Sequence, residues 1–222
     1  MSPGGLRAQP AARPERNVDK LLAISGFGIG AFALILQFAL TIPARMEAGH
    51  GLGDAMVFYF SFFTILTNFG VALVYAARLF PGKLAFFATD LVRATFAVCI
   101  TIVGLVYATV LANIWAPEGL FWLCDILLHY VAPVIYVLWW ALAGRNGTLG
   151  WSHAPGMLVF PVSYLAYALV RGQITGLYPY PFLDAGSLGL SKVAVNAAAV
   201  AALFFTFSLI AIGFDRSVKP RS

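Results

Sequence analysis

Six long apolar runs divide the chain, at residues 21–42, 56–76, 94–115, 120–142, 156–170 and 193–214. A helix rises about 1.5 Å per residue, so about 20 apolar residues cross a hydrocarbon core of about 30 Å. Most of the runs meet that length. The fifth is shorter and is expected to extend through Arg171, whose long stem can carry its charge to the interface. None shows the ten-residue polar/apolar alternation of a barrel strand. The pattern predicts an all-α polytopic membrane protein with six transmembrane helices. A disordered tail is expected at 1–20, the helical domain at 21–214 and a second tail at 215–222.

Composition sharpens this picture. The 222 residues are 61% hydrophobic and 10% charged, too little charge to cover a water-soluble domain of this size. Lipid is the natural solvent, and the bilayer the expected partner. The first run is too long for a signal-peptide core of about 7–15 residues and is expected to stay as an anchor. The net charge of +5 comes from Lys and Arg placed singly at the ends of apolar runs. A nucleic-acid partner would need them clustered on one face, so none is expected. With the N-terminus inside, eleven basic residues fall on inner segments: Arg7, Arg13, Arg16, Lys20, Arg78, Lys83, Arg93, Arg145, Arg216, Lys219 and Arg221. Only Arg45, Arg171 and Lys192 fall outside. That positive-inside bias predicts both termini in the cytoplasm and a multi-pass protein of the cell membrane.

Gly26, Gly28 and Gly30 lie inside an apolar run with no strand before them, so they make no dinucleotide fingerprint. Gly26 and Gly30 are expected to let two helices approach closely, in this chain or between two copies of it. Cys99 and Cys124 fall near opposite faces of the bilayer, beyond disulfide reach. His50, His129 and His153 fall at three levels, so neither a metal site nor a cofactor is expected.

The informative residues are those that lipid should reject. On the second helix Ser61, Thr64 and Asn68 lie within about 60° of one another with Thr67 on their flank. Such a stripe serves either as hydrogen-bonding glue between helices or as a reactive group. On the fourth helix Asp125 and His129, four apart, share a face that Tyr136 continues. Pro133 cannot donate to the carbonyl of His129 and is expected to kink the helix there. Thr64 and His129 each lie eight residues past the outer start of their runs, about 12 Å down. Facing stripes would bring a hydroxyl and an imidazole to one level. On the fifth helix Tyr164, Tyr167 and Arg171 share a face, and Arg171 is placed to pair with Asp125. The segment Tyr178-Pro179-Tyr180-Pro181-Phe182-Leu183-Asp184, stiffened by prolines, reads as a lid over the outer mouth (Tyr178, Tyr180, Pro181, Phe182) or as an aromatic belt.

That last segment, with Phe62-Phe63-Thr64-Ile65-Leu66-Thr67-Asn68 and Leu128-His129-Tyr130-Val131-Ala132-Pro133, resembles a bacterial family of six-pass membrane proteins of unknown function. The family is distantly similar to the androgen-induced and androgen-dependent six-pass proteins of animals. Those are intramembrane hydrolases of fatty acid esters of hydroxy fatty acids, and they use a threonine and a histidine. The resemblance covers about residues 21–214. It implies that Thr64, or its neighbour Thr67, is the nucleophile and His129 the base. Asp125 stands at the position of the animal Asn in Asn-His-x-x-His, and Ile126 replaces the first histidine.

The expectation is therefore an intramembrane hydrolase of lipid esters: Thr64 attacks, His129 takes its proton, and Asp125 orients the imidazole. Asn68 would donate to the oxyanion, with Thr67, Arg171 and Tyr167 in support. The alternative is a non-enzymatic protein, either a lipid-binding scaffold or a small proton-linked transporter. A dimer built on Gly26 and Gly30 is a third reading.

Overall fold

A computed structural model describes residues 14–218, and these are helical with no strand. The main elements are α1 (Pro14–Glu47), α2 (Leu52–Tyr59), α3 (Phe63–Leu79), α4 (Asp90–Leu111), α5 (Gly119–Gly144), α6 (Ala154–Thr175) and α7 (Leu190–Arg216). Five are each long and apolar enough to cross a membrane, and α2 with α3 makes a sixth if that bent pair is one span. Large apolar side chains such as Ile35, Val159, Ile174, Val195 and Ile210 are exposed on the outside of the bundle. A surface of that kind suits lipid rather than water.

The central helix is α4. Its apolar window is 56% buried, against 22–33% for α1, α5, α6 and α7. Its inward residues, including Phe96, Cys99, Ile100 and Val103, join the core cluster with Val71, Tyr136 and Phe204. Two glycines set how closely α4 packs: a Cβ at Gly70 of α3 would strike the Phe96 ring, and one at Gly104 would lie 3.1 Å from the His129 carbonyl. Cys99 and Cys124 are free and buried.

Polar contacts fasten the two ends of the bundle. At one end Arg78 of α3 pairs with Asp19 of α1, which also accepts from the Trp139 indole at 2.8 Å. Nearby, Asp90 accepts from Asn146 and Thr148, and Asp215 accepts from the amides of Asn146 and Leu149. At the other end Arg45 bonds Asp54 at 2.6 Å and Arg171 donates to the carbonyl of Leu177 at 2.6 Å.

The helices depart from the sequence expectations in four places. The first helix begins at Pro14, so residues 14–20 are helical rather than a disordered tail; residues 1–13, like 219–222, lie outside the described residues. The second run is broken: α2 and α3 meet at 73° across Phe60–Phe62. No Pro or Gly marks this break. Ser61 Oγ instead bonds back to the Val57 carbonyl and Phe62 turns to extended backbone, and such i−4 back-bonding bends helices. Pro133 does not break α5. The strain is taken up by a π turn at Leu127–Val131, just before it, which re-satisfies backbone groups that a proline would leave free. The fifth helix runs on to Thr175, beyond Arg171, and ends at Gly176 with φ +71°. Of the two small residues of α1, Gly26 lies under the Tyr75 ring, whereas a Cβ at Gly30 would meet nothing within 4 Å.

Candidate active site

The break in the second run decides the geometry of the site. It makes Thr64 the second residue of α3 rather than a mid-helix position. The first-turn amides of a helix have no carbonyl partner within it, and they carry the positive end of its dipole. In α3 these are Phe63, Thr64 and Ile65, the ladder starting with Leu66 N–H to the Phe62 carbonyl at 3.2 Å. Backbone freed inside an apolar bundle must find partners, and two tyrosines supply them. Tyr164 of α6 donates to the Ser61 carbonyl at 2.9 Å, and Tyr180 accepts from the Thr64 N–H at 3.4 Å. The bend is thus held by hydroxyls from two other segments. Because α2 lies at 73° to α3, its eight residues add only about 3.5 Å along the α3 axis, not about 12 Å.

Thr64 Oγ1 lies 3.3 Å from His129 Nε2, so the structure brings the hydroxyl and the imidazole together. On the far side of the ring, Nδ1 lies 3.0 Å from the Asp125 carbonyl and 3.1 Å from Asp125 Oδ1. Both neighbours are oxygens that accept, so the proton sits on Nδ1. When the ring is neutral, Nε2 then presents its lone pair to Thr64. The other carboxylate oxygen of Asp125 accepts from the Tyr107 hydroxyl. The Tyr107 ring stacks on His129, with centroids 3.8 Å apart and planes 14° from parallel. Thr64, Asp125 and Tyr107 are buried, and His129 keeps 15% of its side chain exposed. Glycine at 104 eases the approach of the α4 backbone to the His129 carbonyl, since a Cβ there would lie 3.1 Å from that oxygen.

The remaining predicted residues fall in different places. Thr67 is fully buried, but its hydroxyl finds no hydrogen-bond partner, His129 included, among the described residues. Asn68 cannot serve as the oxyanion donor. Its amide nitrogen is committed to the carbonyls of Thr64 at 2.8 Å and Leu128 at 3.3 Å, tying α3 to α5. Arg171 does not pair with Asp125, whose oxygens are held by His129 and Tyr107; it holds the loop after α6 through Leu177. Tyr167 is 39% exposed, and the inward position it shares a face with belongs to Tyr164.

The Tyr178–Asp184 segment packs inward, with Tyr180 and Leu183 entering the core. Phe182 stacks on Tyr180 at 5.3 Å, Pro181 opens a one-turn helix, and Asn196 of α7 donates to the Phe182 carbonyl at 2.9 Å. Tyr178 lies over Gly172. Among the described residues no three His, Cys, Asp or Glu side chains converge as metal ligands.

Sequence reasoning missed Tyr107 and undervalued Tyr164 and Tyr180. Tyr107 was legible as a lone phenol within an apolar run. What it touches depends on the pairing of α4 with α5, which no local pattern reveals.

The arrangement is a hydroxyl on an imidazole nitrogen, a carboxylate behind the ring, and a helix N-terminus at the hydroxyl-bearing residue. It can deprotonate an alcohol and stabilise negative charge beside it. No family model matches the chain, and neither a curated protein nor a solved structure is similar to it.

Proposed function

We propose that the protein is an intramembrane hydrolase of lipid esters, with Thr64 as nucleophile, His129 as base and Asp125 as the group that orients the imidazole. The observation that carries this reading is the 3.3 Å approach of Thr64 Oγ1 to His129 Nε2, with Nδ1 held by Asp125. In the first step Thr64 Oγ1 attacks the ester carbonyl carbon while His129 Nε2 takes the hydroxyl proton. The tetrahedral oxyanion develops beside the first-turn amides of α3, where the helix dipole is favourable. Its collapse breaks the bond to the leaving alcohol, which receives the proton from His129. Water then attacks the acyl-threonine, giving its proton to His129. Release of the fatty acid returns that proton to Thr64. The resemblance of three segments to the six-pass bacterial and animal proteins supports the same assignment.

The proposal includes the setting: six crossings of the cell membrane with both termini in the cytoplasm. The basic residues of the Asp19–Arg78 end and the sparse ones of the Arg45–Asp54 end support that orientation. Purified protein should hydrolyse p-nitrophenyl esters and take up one alkyl fluorophosphonate on Thr64. Thr64→Ala and His129→Ala should each lower turnover by about a hundred-fold or more. Undiminished hydrolysis in both variants would refute the assignment.

A further inference from the structure

A cavity of about 70 Å³ adjoins Thr64, lined also by Val103 and Val106 of α4, Leu165 of α6, and Val200 and Phe204 of α7. No lining residue is charged. The two phenols in its wall, Tyr164 and Tyr180, are the pair that hold the α2–α3 break. The rest of the wall is apolar, so the hydroxyl-bearing residues a guest meets are Thr64, Tyr164 and Tyr180. His129 is not part of the wall, and Thr64 both lines the cavity and reaches the imidazole. An acyl-threonine would have its chain on the cavity side, and the leaving alcohol on the side where His129 can protonate it.

The wall is uneven. Ile102, Val103 and Phe204 are buried, whereas Val106, Leu111, Leu165 and Val200 are half-buried. The half-buried set comes from α4, α6 and α7, and the neighbouring Ala108, Thr109 and Val110 of α4 are exposed. The cavity thus approaches the lipid-facing surface between the end of α4 and the first half of α7.

We infer that this cavity is the acyl subsite and that it selects esters of medium-chain acids; the inference rests on the hydrolase proposal above. One water-sized group needs about 10–15 Å³ measured in this way, so the space takes about five to seven carbons. A longer chain must pass between α4 and α7 into the bilayer.

The test uses the full chain, purified in a neutral detergent, with p-nitrophenyl esters from acetate to palmitate and an alkyl fluorophosphonate read by mass. Turnover per site should be highest near hexanoate and octanoate. Val103→Trp, which fills the cavity, should lower the octanoate-to-acetate ratio of kcat/KM by about ten-fold or more. Phe204→Ala, which enlarges it, should raise the dodecanoate-to-octanoate ratio several-fold, and it alone decides the matter if the tryptophan variant does not fold. Thr64 labelled in every variant with both ratios unchanged would overturn the subsite and leave the hydrolase standing. A wild type that neither turns over any ester nor labels at Thr64 would overturn the hydrolase, and the acyl subsite with it.

Discussion

Tyr107 holds the Asp125 carboxylate through its hydroxyl and lies flat against His129. The two contacts can be separated, because phenylalanine keeps the ring and loses only the hydrogen bond. A hydrogen bond to a charged group contributes about 1.5–3 kcal/mol, so Tyr107→Phe should lower kcat by about ten-fold or more while KM stays nearly constant. Steady-state kinetics on the preferred ester checks this, and equal losses in binding and turnover would contradict it. Thr67 makes the opposite case. Its hydroxyl is buried without a partner, and exchanging an unsatisfied polar group for a methyl of the same shape is nearly neutral or stabilising. Thr67→Val should therefore keep activity within about two-fold and leave the melting temperature unchanged or raised, a result that also separates it from Thr64. The sequence alone placed Thr64 and His129 at a common depth. It left Thr64 and Thr67 undivided because they lie only 60° apart on an ideal helix, and the choice is made by the rotation of α3 against α5.

The α2–α3 break is where local and tertiary determinants part. A run of Phe58-Tyr59-Phe60-Ser61-Phe62-Phe63 carries no proline or glycine, so an uninterrupted helix is the natural reading. The Ser61 back-bond bends it locally, and what holds the freed backbone lies 103 and 116 residues further along the chain, the hydroxyls of Tyr164 and Tyr180. These contacts also explain why the Tyr-Pro-Tyr-Pro segment is packed inward. Removing either hydroxyl leaves a buried backbone group unpaired, at about 1–3 kcal/mol. Tyr164→Phe and Tyr180→Phe should each lower the thermal midpoint by several degrees and depress turnover, because the first turn of α3 loses its anchor. Tyr178→Phe is the control, since its ring packs over Gly172 and its hydroxyl makes no hydrogen bond among the described residues. Equal melting temperatures for all three variants would show that the break needs no hydroxyl support. The positions and lengths of α4, α5 and α7 were legible from apolar runs, because a hydrocarbon core imposes one length on every crossing; α1 runs past its apolar run at both ends. Gly104 was not, since its use depends on a carbonyl in another helix.

Whether the broken pair counts as a crossing fixes the handedness of the whole molecule with respect to the membrane. If α2 and α3 dipped in and returned, the chain would cross five times and its ends would lie on opposite sides. If they cross together, the total is six and both ends share a side. The ion pairs bear on this choice. Arg45 and Asp54 join the end of α1 to the start of α2, and Arg78 at the end of α3 returns to Asp19 near the start of α1. A chain that starts at one end of α1, turns back at the other and finishes beside its starting point is what the proposed six-crossing topology requires. A helix of 17 residues such as α3 spans about 25 Å by itself, and the tilted α2 needs to supply only the remainder of a core of about 30 Å. The proposed sign follows from the charge distribution, with Arg78, Lys83, Arg93, Arg145 and Arg216 at the Asp19 end. Single cysteines at Ser2, Ser222 and His50, introduced after both native cysteines are replaced by alanine, test this in intact cells with a membrane-impermeant maleimide. The first two positions should react only after the membrane is permeabilised, and His50→Cys should react in intact cells. Reaction of Ser2→Cys and Ser222→Cys from opposite sides would make α2–α3 re-entrant, and Thr64 would then sit at the bottom of a loop instead of partway along a crossing.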